Sequence, residues 1–322
     1  MKNFIIRRLL LSVLILFGVS MIIYTIVRMM PGDYISSITA GNPMVTPEKI
    51  ARLRMLYGLD TGVVEGYFKW LSQAIRGNFG DSFIYRKPVA EIISSKMWTS
   101  FSLAFTAFIL EIIIAVPLGI ISATRQYSKT DYAVTTVALV GISLPTFFFA
   151  AILQRVFSME LGLLPLQGMV TARYDYQGFM LFLDIAKHFI LPITVFVITG
   201  VGSLMRYSRT NMLEVLNADY VRTARAKGLS EQTVIYKHAF RNTLIPIVTL
   251  IGGSLPGLFS GAIITEGIFA IDGLGRTALI ALRMGDIPFI MAFNMFLAVL
   301  TLLGTIIADI LYAVVDPRVR LS

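Results

Sequence analysis

The chain has 322 residues, of which 56% are hydrophobic and only 15% charged, with a mean hydropathy of +0.75. A soluble domain of this size carries about a quarter charged residues, so an apolar excess gathered in runs points to lipid rather than to a globular interior. The absence of cysteine removes disulfides, thiolate nucleophiles and thiolate metal sites, and the net charge of +9 has meaning only once its placement is known.

Six runs, near 9–28, 101–124, 133–157, 188–207, 243–265 and 288–312, are apolar over roughly 20 residues, enough to cross a bilayer. They predict an all-α membrane protein with six transmembrane helices. The division expected is a terminus and first helix at 1–28, a partly helical segment at 29–100, and a core of five helices at 101–322. Lys2, Arg7 and Arg8 precede the first run. Its apolar core is too long for a signal peptide and "YTIVRMMPG" offers no small-residue cleavage site, so an uncleaved span is expected.

Within 29–100, "TPEKIARLRMLYG" reads as a helix with Thr46 as N-cap, Pro47 in the first position, Glu48 in the first turn and Gly58 as the stop. "EGYFKWLSQAIRGNFG" reads as a second amphipathic helix ending at Gly77. "KPVAEIISSKMWTS" places Val89, Ile92 and Ile93 on one face and is expected to lie along the interface before the second span. Trp70 and Trp98 suit the headgroup level.

Polar residues inside the runs are few. Glu111 falls near the middle of the second, where an ionised side chain is costly. It is either a structural carboxylate, satisfied by a neighbouring helix or protonated, or a group facing a water-filled path. Gln154 and Asn294 read as helix–helix hydrogen bonds, Asn294 also as a candidate for the path. "GISLPTF" (141–147) and "GGSLPGLFSG" (252–261) put glycine, serine and proline in mid-span. They mark close packing or helix breaks lining a cavity, which makes Ser143, Pro145, Ser254 and Pro256 path candidates. Pro192, Pro246 and Pro256 interrupt the fourth and fifth runs, which a membrane tolerates where neighbours satisfy the freed backbone groups.

With a cytoplasmic N-terminus, the inside segments hold Lys2, Arg7 and Arg8, then Arg125 and Lys129, then Arg206, Arg209 and the basic run 222–241, and finally Arg318 and Arg320. The segments 158–187 and 266–287 are balanced in sign. This is the positive-inside bias with both termini cytoplasmic, so nucleic acid is not needed to explain the charge.

The most polar stretch, "NADYVRTARAKGLSEQTVIYKHAFRN" (217–242), separates runs four and five. Asp219 or Asn217 is expected to cap a short helix that Gly228 ends in the left-handed conformation, and Ser230 to cap a second helix through Val234, Ile235 and Phe240. Arg222 and Arg225 share a face. Ala218, Val221 and Ala224 form a small apolar stripe beside them, which would let another protein come close while the arginines orient it. A DNA-binding helix–turn–helix fails for want of room for a third supporting helix. A basic loop attracted to anionic lipid explains the charge but not the Ala/Gly spacing. A docking helix for a cytoplasmic partner explains both.

Neither a phosphate-binding loop nor a zinc-protease histidine pair is present; "RAKGLS" has its lysine before the glycine, and His188 and His238 stand on opposite sides of the predicted membrane. With no nucleophile beside a base, the chain reads as a non-enzyme without cofactor or metal of its own. A proton-coupled carrier would show several acidic residues or histidines in its spans, so energy is expected to arrive from another chain.

"GNFGDS" and "KPV" before the second span, "LPTF" in the third, "ADYVRTARAKGLSEQTVIYKHAFRNTLIPIV" at 218–248, "EGIFAIDGLGR" at 266–276 and "DPRVR" at 316–320 occur together and in order. In these the chain resembles the inner-membrane permease subunits of ABC importers, in the dipeptide/oligopeptide/nickel branch, over almost its whole length. That class carries a loop motif written E-A-A-x3-G. Aligned on Gly228, its first three positions are Arg222, Thr223 and Ala224, so the glutamate is replaced. His238-Ala-Phe-Arg241 stands where the wider class has I-x-L-P, and both departures resemble the peptide branch. The resemblance implies a coupling helix at Asp219, Tyr220, Val221, Arg222, Thr223, Ala224, Arg225, Ala226, Lys227 and Gly228 that inserts into an ATP-hydrolysing subunit. It implies a bacterial inner-membrane complex of two related permeases, two ATPases holding ATP and Mg, and an external binding protein delivering substrate, with peptides the first cargo and nickel or another small solute the alternative. The competing classes are an autonomous carrier or channel dependent on Glu111, and a membrane scaffold that recruits a cytoplasmic protein without transport.

Overall fold

The computed structural model describes residues 2–30, 32–40 and 45–315. The closing "DPRVR", with Arg318 and Arg320, lies outside them. The described residues form helices and connections and no strand: α1 (Lys2–Met29), α2 (Tyr34–Thr39), α3 (Pro47–Leu56), α4 (Val63–Ala74), α5 (Val89–Thr124), α6 (Lys129–Ser143), α7 (Thr146–Leu153), α8 (Gly178–Leu216), α9 (Asp219–Ala226), α10 (Glu231–Thr233), α11 (Phe240–Gly253), α12 (Leu255–Ser260), α13 (Ile263–Ile268), α14 (Leu274–Met284) and α15 (Ile287–Val315). Among these, α1, α5, α8 and α15 are long and apolar enough to cross a membrane, and the bent pair α6–α7 brings the number to as many as five.

The short helices before α5 begin and end where local chemistry dictates. Thr46 caps α3 by accepting from Lys49 N, and Gly58 takes φ +65° beyond its end. α4 stops before Gly77, at φ +78°. The expected interfacial helix before the second span does not exist as a separate element. α5 runs unbroken from Val89 for 36 residues. Val89, Ile92 and Ile93 are buried against Val27, Leu274 and Phe289, because the apolar face that would have rested on lipid is covered by α1, α14 and α15.

Two expected spans are broken. Between α6 and α7 the axis turns by 99°. Leu144 is extended there (φ −78°, ψ 124°), the conformation that the following Pro145 ring favours by disfavouring a helical predecessor. The fifth run divides into α11, α12 and α13, none long enough to cross alone. Pro256 has no N–H to continue α11, and Gly261 turns the chain at φ +72°. Pro192, in contrast, sits inside α8 without ending it, and α8 extends over 39 residues.

Three buried acids hold these helices together. Asp131, at the start of α6, accepts two bonds from Arg209 of α8 (Nε to Oδ1 and Nη2 to Oδ2, both 3.0 Å), one from Ser122 of α5 and one from Tyr127 N at 3.0 Å. Glu266, fully buried, accepts from Ser100 Oγ of α5 at 2.7 Å, Ala262 N at 3.2 Å and Arg276 N at 2.9 Å, and so pins the connection after α12 to α5. Asp286, also fully buried, takes Ser82 Oγ at 2.5 Å, Phe83 N at 3.2 Å and Phe289 N at 3.3 Å, clamping the 29–100 segment to the start of α15. Helix α4 lies on α1 through Tyr67, whose hydroxyl meets Ser20 Oγ at 2.9 Å and whose ring stands edge-on to Tyr24.

Removing one partner of a buried ion pair leaves the other charge uncompensated, a cost of about 3–5 kcal/mol, whereas replacing both by apolar groups is much milder. Arg209→Leu alone is therefore expected to lower the thermal unfolding temperature of the detergent-solubilised chain more than the double change Arg209→Leu with Asp131→Leu. Additive losses in that cycle would show that the pair is not coupled.

Candidate functional site

Helix α8 ends at Leu216, and α9 starts after two residues. Neither expected side chain caps it. Asn217 Nδ2 turns back to Leu213 O at 2.9 Å and closes α8, while the N-cap is Ala218, without a side-chain bond. Asp219 is the first helical residue, its side chain 97% exposed and 3.5 Å from Arg222. There it still favours the helix dipole. The other end follows expectation. Lys227 N and Gly228 N close the last turn onto Thr223 O and Arg225 O at 3.1 and 2.9 Å, and Gly228 reverses the chain at φ +74°. Ser230 Oγ then accepts from Thr233 N and starts α10.

The apolar stripe does not face outward. Val221 is fully buried and Ala224 is 6% exposed, both in one core with Met212 of α8, Val116, Ile120 and Ala123 of α5, Ile247 of α11, and Val234 and Ala239. The small side chains at three-residue spacing serve the close approach of α9 to its own chain. The outward face carries Asp219, Tyr220, Arg222, Thr223, Ala226 and Lys227, all exposed. Arg225 folds across the turn and grips Glu231 with a fork, Nη2 to Oε1 at 2.7 Å and Nε to Oε2 at 3.2 Å. Hydrogen bonding to that guanidinium holds the Glu231 carboxyl below the usual carboxylate range. The fork's contribution is therefore complete above the unfolded carboxylate value and is lost as pH falls through the lowered folded value.

The second helix is not continuous. Residues Val234–Ala239, including His238, form a π-helical turn between α10 and α11. The extra residue per turn widens the backbone where α11 leaves the α9–α10 pair, a device that periodicity in the sequence does not reveal.

The six path candidates lie at separate junctions. Glu111, on α5, is partly buried, and its carboxyl lies against Gly200 of α8, where an added Cβ would stand 2.5 Å from Oε2; it forms no hydrogen bond or ion pair with the described residues. Ser143 and Pro145 are exposed at the α6–α7 bend, Ser143 Oγ donating to Leu139 O of its own helix at 2.8 Å. Ser254 Oγ donates to Ile251 O at 2.7 Å, and Pro256 begins α12 against Gly304 of α15. Asn294 is not a helix–helix bond, because its Nδ2 donates to Ile290 O, one turn back on α15, at 2.8 Å. Gln154 does reach across, to Leu166 O at 2.8 Å and Ile268 O at 3.3 Å. In the sequence Asp131 carries no assigned role, and Glu266 and Asp286 only a part in the charge balance of 266–287. The signals available were Ser128 three residues before Asp131 as a helix cap, and the place of Glu266 at the head of "EGIFAIDGLGR".

Residues 115–321 match the family described as binding-protein-dependent transport system inner membrane component, and residues 1–104 its N-terminal companion. The chain is 38% identical to the oligopeptide transport system permease protein AppB of Bacillus subtilis over 321 residues, 99% of this chain and 100% of the relative. It is 35% identical to the di/tripeptide permease DppB of Pseudomonas aeruginosa and 34% to the dipeptide permease DppB of Escherichia coli, each over 99% of both chains. Among solved structures, an inward-facing form of the MetNI methionine ABC transporter matches with a TM-score of 0.55 at 14% identity, over 70% of this chain and 97% of that one, a likeness of fold. The chain belongs to the binding-protein-dependent transport system inner-membrane component family, the multi-pass membrane permease subunits of ABC importers.

Proposed function

We propose that this chain forms half of the path by which an ATP-driven importer moves di- or oligopeptides, with nickel or another small solute as the alternative cargo. Supporting the cargo are full-length relatives whose names specify peptides. The mechanism is supported chiefly by one observation: the exposed, basic α9 shares its buried core with α5, α8 and α11. A force applied to the outer face of α9 therefore reaches three helices of the bundle without passing through a flexible linker.

In this reading α9 with Gly228 is the coupling helix, and Tyr220, Arg222, Thr223 and Lys227 meet a groove on an ATP-binding subunit. Two such subunits, holding ATP and Mg, close on nucleotide. Their rigid-body motion tilts the permease between inward- and outward-facing states. A second, homologous permease completes the path, and an external binding protein delivers substrate to the 29–100 and 266–287 surfaces. Six crossings result if α11 and α12 together make one and α6–α7 another, with both termini in the cytoplasm. Glu111 and the breaks at Ser143–Pro145 and Ser254–Pro256 then border the path.

Co-expression with the neighbouring genes of its operon should recover ATP-binding subunits with this chain, and their absence from a purified complex would sink the proposal. Replacing Gly228 by Val forces a β-branched residue into the left-handed region, at about 1–3 kcal/mol. ATP-driven peptide uptake in proteoliposomes is expected to fall about tenfold or more while the chain still inserts in the membrane; unchanged uptake would count against α9 as the coupling element.

The two faces of α9 give a sharper pair of outcomes. Arg222→Glu should weaken recovery of the ATP-binding subunits and leave the thermal stability of the isolated chain unaltered. Ala224→Leu should lower that stability by about 1–3 kcal/mol through overpacking. The reverse assignment of effects would mean that α9 docks with its other face.

A further inference from the structure

A cleft of about 540 Å³ lies between α1, α4, α5 and α15. Its floor is buried: Ser20 is 1% exposed, Ala292 2% and Ile93 8%. Its rim is open, with Val13 and Ile75 well exposed. The walls are almost wholly apolar, and no charged residue lines it. The helices on either side of it are the ones long and apolar enough to stand in lipid.

A second cavity of about 290 Å³ shares Trp70 and Phe79 with the first. It is different in character: Arg28, Lys69, Gln73 and Asn78 line it, and no carboxylate does. Arg28 lies eight residues beyond Ser20, about 12 Å further along α1, and on α15 the order agrees, since Ile287 and Pro288 line the polar cavity and Ala292 and Phe296 the apolar one. The two are thus stacked along the helix axes, the greasy part deeper and the basic part toward the C-terminal end of α1 and the start of α15. Arg28 gives Nη2 to the carbonyls of Leu59 and Thr61 at 3.2 and 2.6 Å and has no carboxylate partner among the described residues, while Lys69 is paired with Glu65 at 2.8 Å. At the shared wall, the indole N–H of Trp70 is buried and has no acceptor among the described residues.

We propose that this pair of cavities is a binding site for one anionic phospholipid, an acyl chain in the cleft and the phosphate against Arg28 and Lys69. The order of apolar and basic parts along the helices matches the order of tail and headgroup in a leaflet. Arg28, the cation of this mouth without a carboxylate partner among the described residues, favours a headgroup of net negative charge. A lipid so placed would fill the space between α4 and the bundle beside the Tyr67–Ser20 contact. In the topology proposed above it belongs to the outer leaflet; the site itself does not depend on the cargo.

The test uses the full chain with Trp98→Phe, leaving Trp70 as its one tryptophan, in phosphatidylcholine vesicles. The additive is phosphatidylglycerol or phosphatidylcholine with a brominated acyl chain, and the readout is quenching of Trp70 fluorescence. Brominated phosphatidylglycerol is expected to quench more than brominated phosphatidylcholine, and Arg28→Gln to reduce that preference roughly fivefold. Ala74→Phe, on the α4 wall, should abolish the excess; Ala292→Phe repeats the test from the floor should the first variant fold poorly. Equal quenching by the two lipids, or an excess that survives either filled and folded variant, overturns the proposal. So does an absence of quenching by both, the result if a protein surface covers the cleft.

Discussion

The guanidinium of Arg209 on the carboxylate of Asp131 is the contact on which one end of this bundle depends. A helix of the length of α5 or α8 satisfies its own backbone, and lipid offers such helices no hydrophobic reason to choose one neighbour over another. Specific polar contacts must set the register. Asp131 does so at the meeting of α5, α6 and α8, taking donors from Ser122, Tyr127 and both arms of Arg209. From there the chain passes ten residues along α8 into α9, and the buried core beneath α9 is the same one that packs around Met212.

At the opposite end the same problem is solved without a cation on the carboxylate. Glu266 and Asp286 are each surrounded by backbone N–H groups and one serine hydroxyl, donors that come from segments far apart in sequence. A carboxyl group has two oxygens that accept several donors at once, so a single side chain can hold a loop without any regular structure. The segment 29–100 is accordingly held against the bundle by Asp286, by the α1–α4 aromatic contacts and by the continuation of α5 back to Val89.

What the sequence made legible was local. Thr46 with Pro47, Gly58, Gly77, Gly228 and Ser230 act within a turn of their own position, and the structure places helix ends at each. What it concealed was non-local. Arg209 stands 78 residues from Asp131, and no spacing rule links them. A three-residue repeat told that Val221 and Ala224 share a face but not whether that face looks inward; burial against Val234 and Ala239 answers that. The expected interfacial helix failed for a related reason, since an apolar face at Val89–Ile93 is equally suited to lipid or to another helix. The π-helical turn at Val234–Ala239 is too short for hydrophobic periodicity to register, because it shifts the phase by one residue within a single turn. The family motifs in order carried the overall identity further than any single physical signal.

Because Val221 and Ala224 are committed to the interior, the architecture of α9 and its contact chemistry are written in different residues. The outer positions Arg222, Thr223 and Lys227 are exposed and lie outside that core, so they can change sign or size without disturbing it, whereas Tyr220 also bonds Asn242. An arginine standing where the wider class has glutamate is then no defect of the element. Under the coupling role proposed above, recognition of an ATP-binding subunit could be re-tuned at these outer residues while the buried stripe beneath them stays fixed.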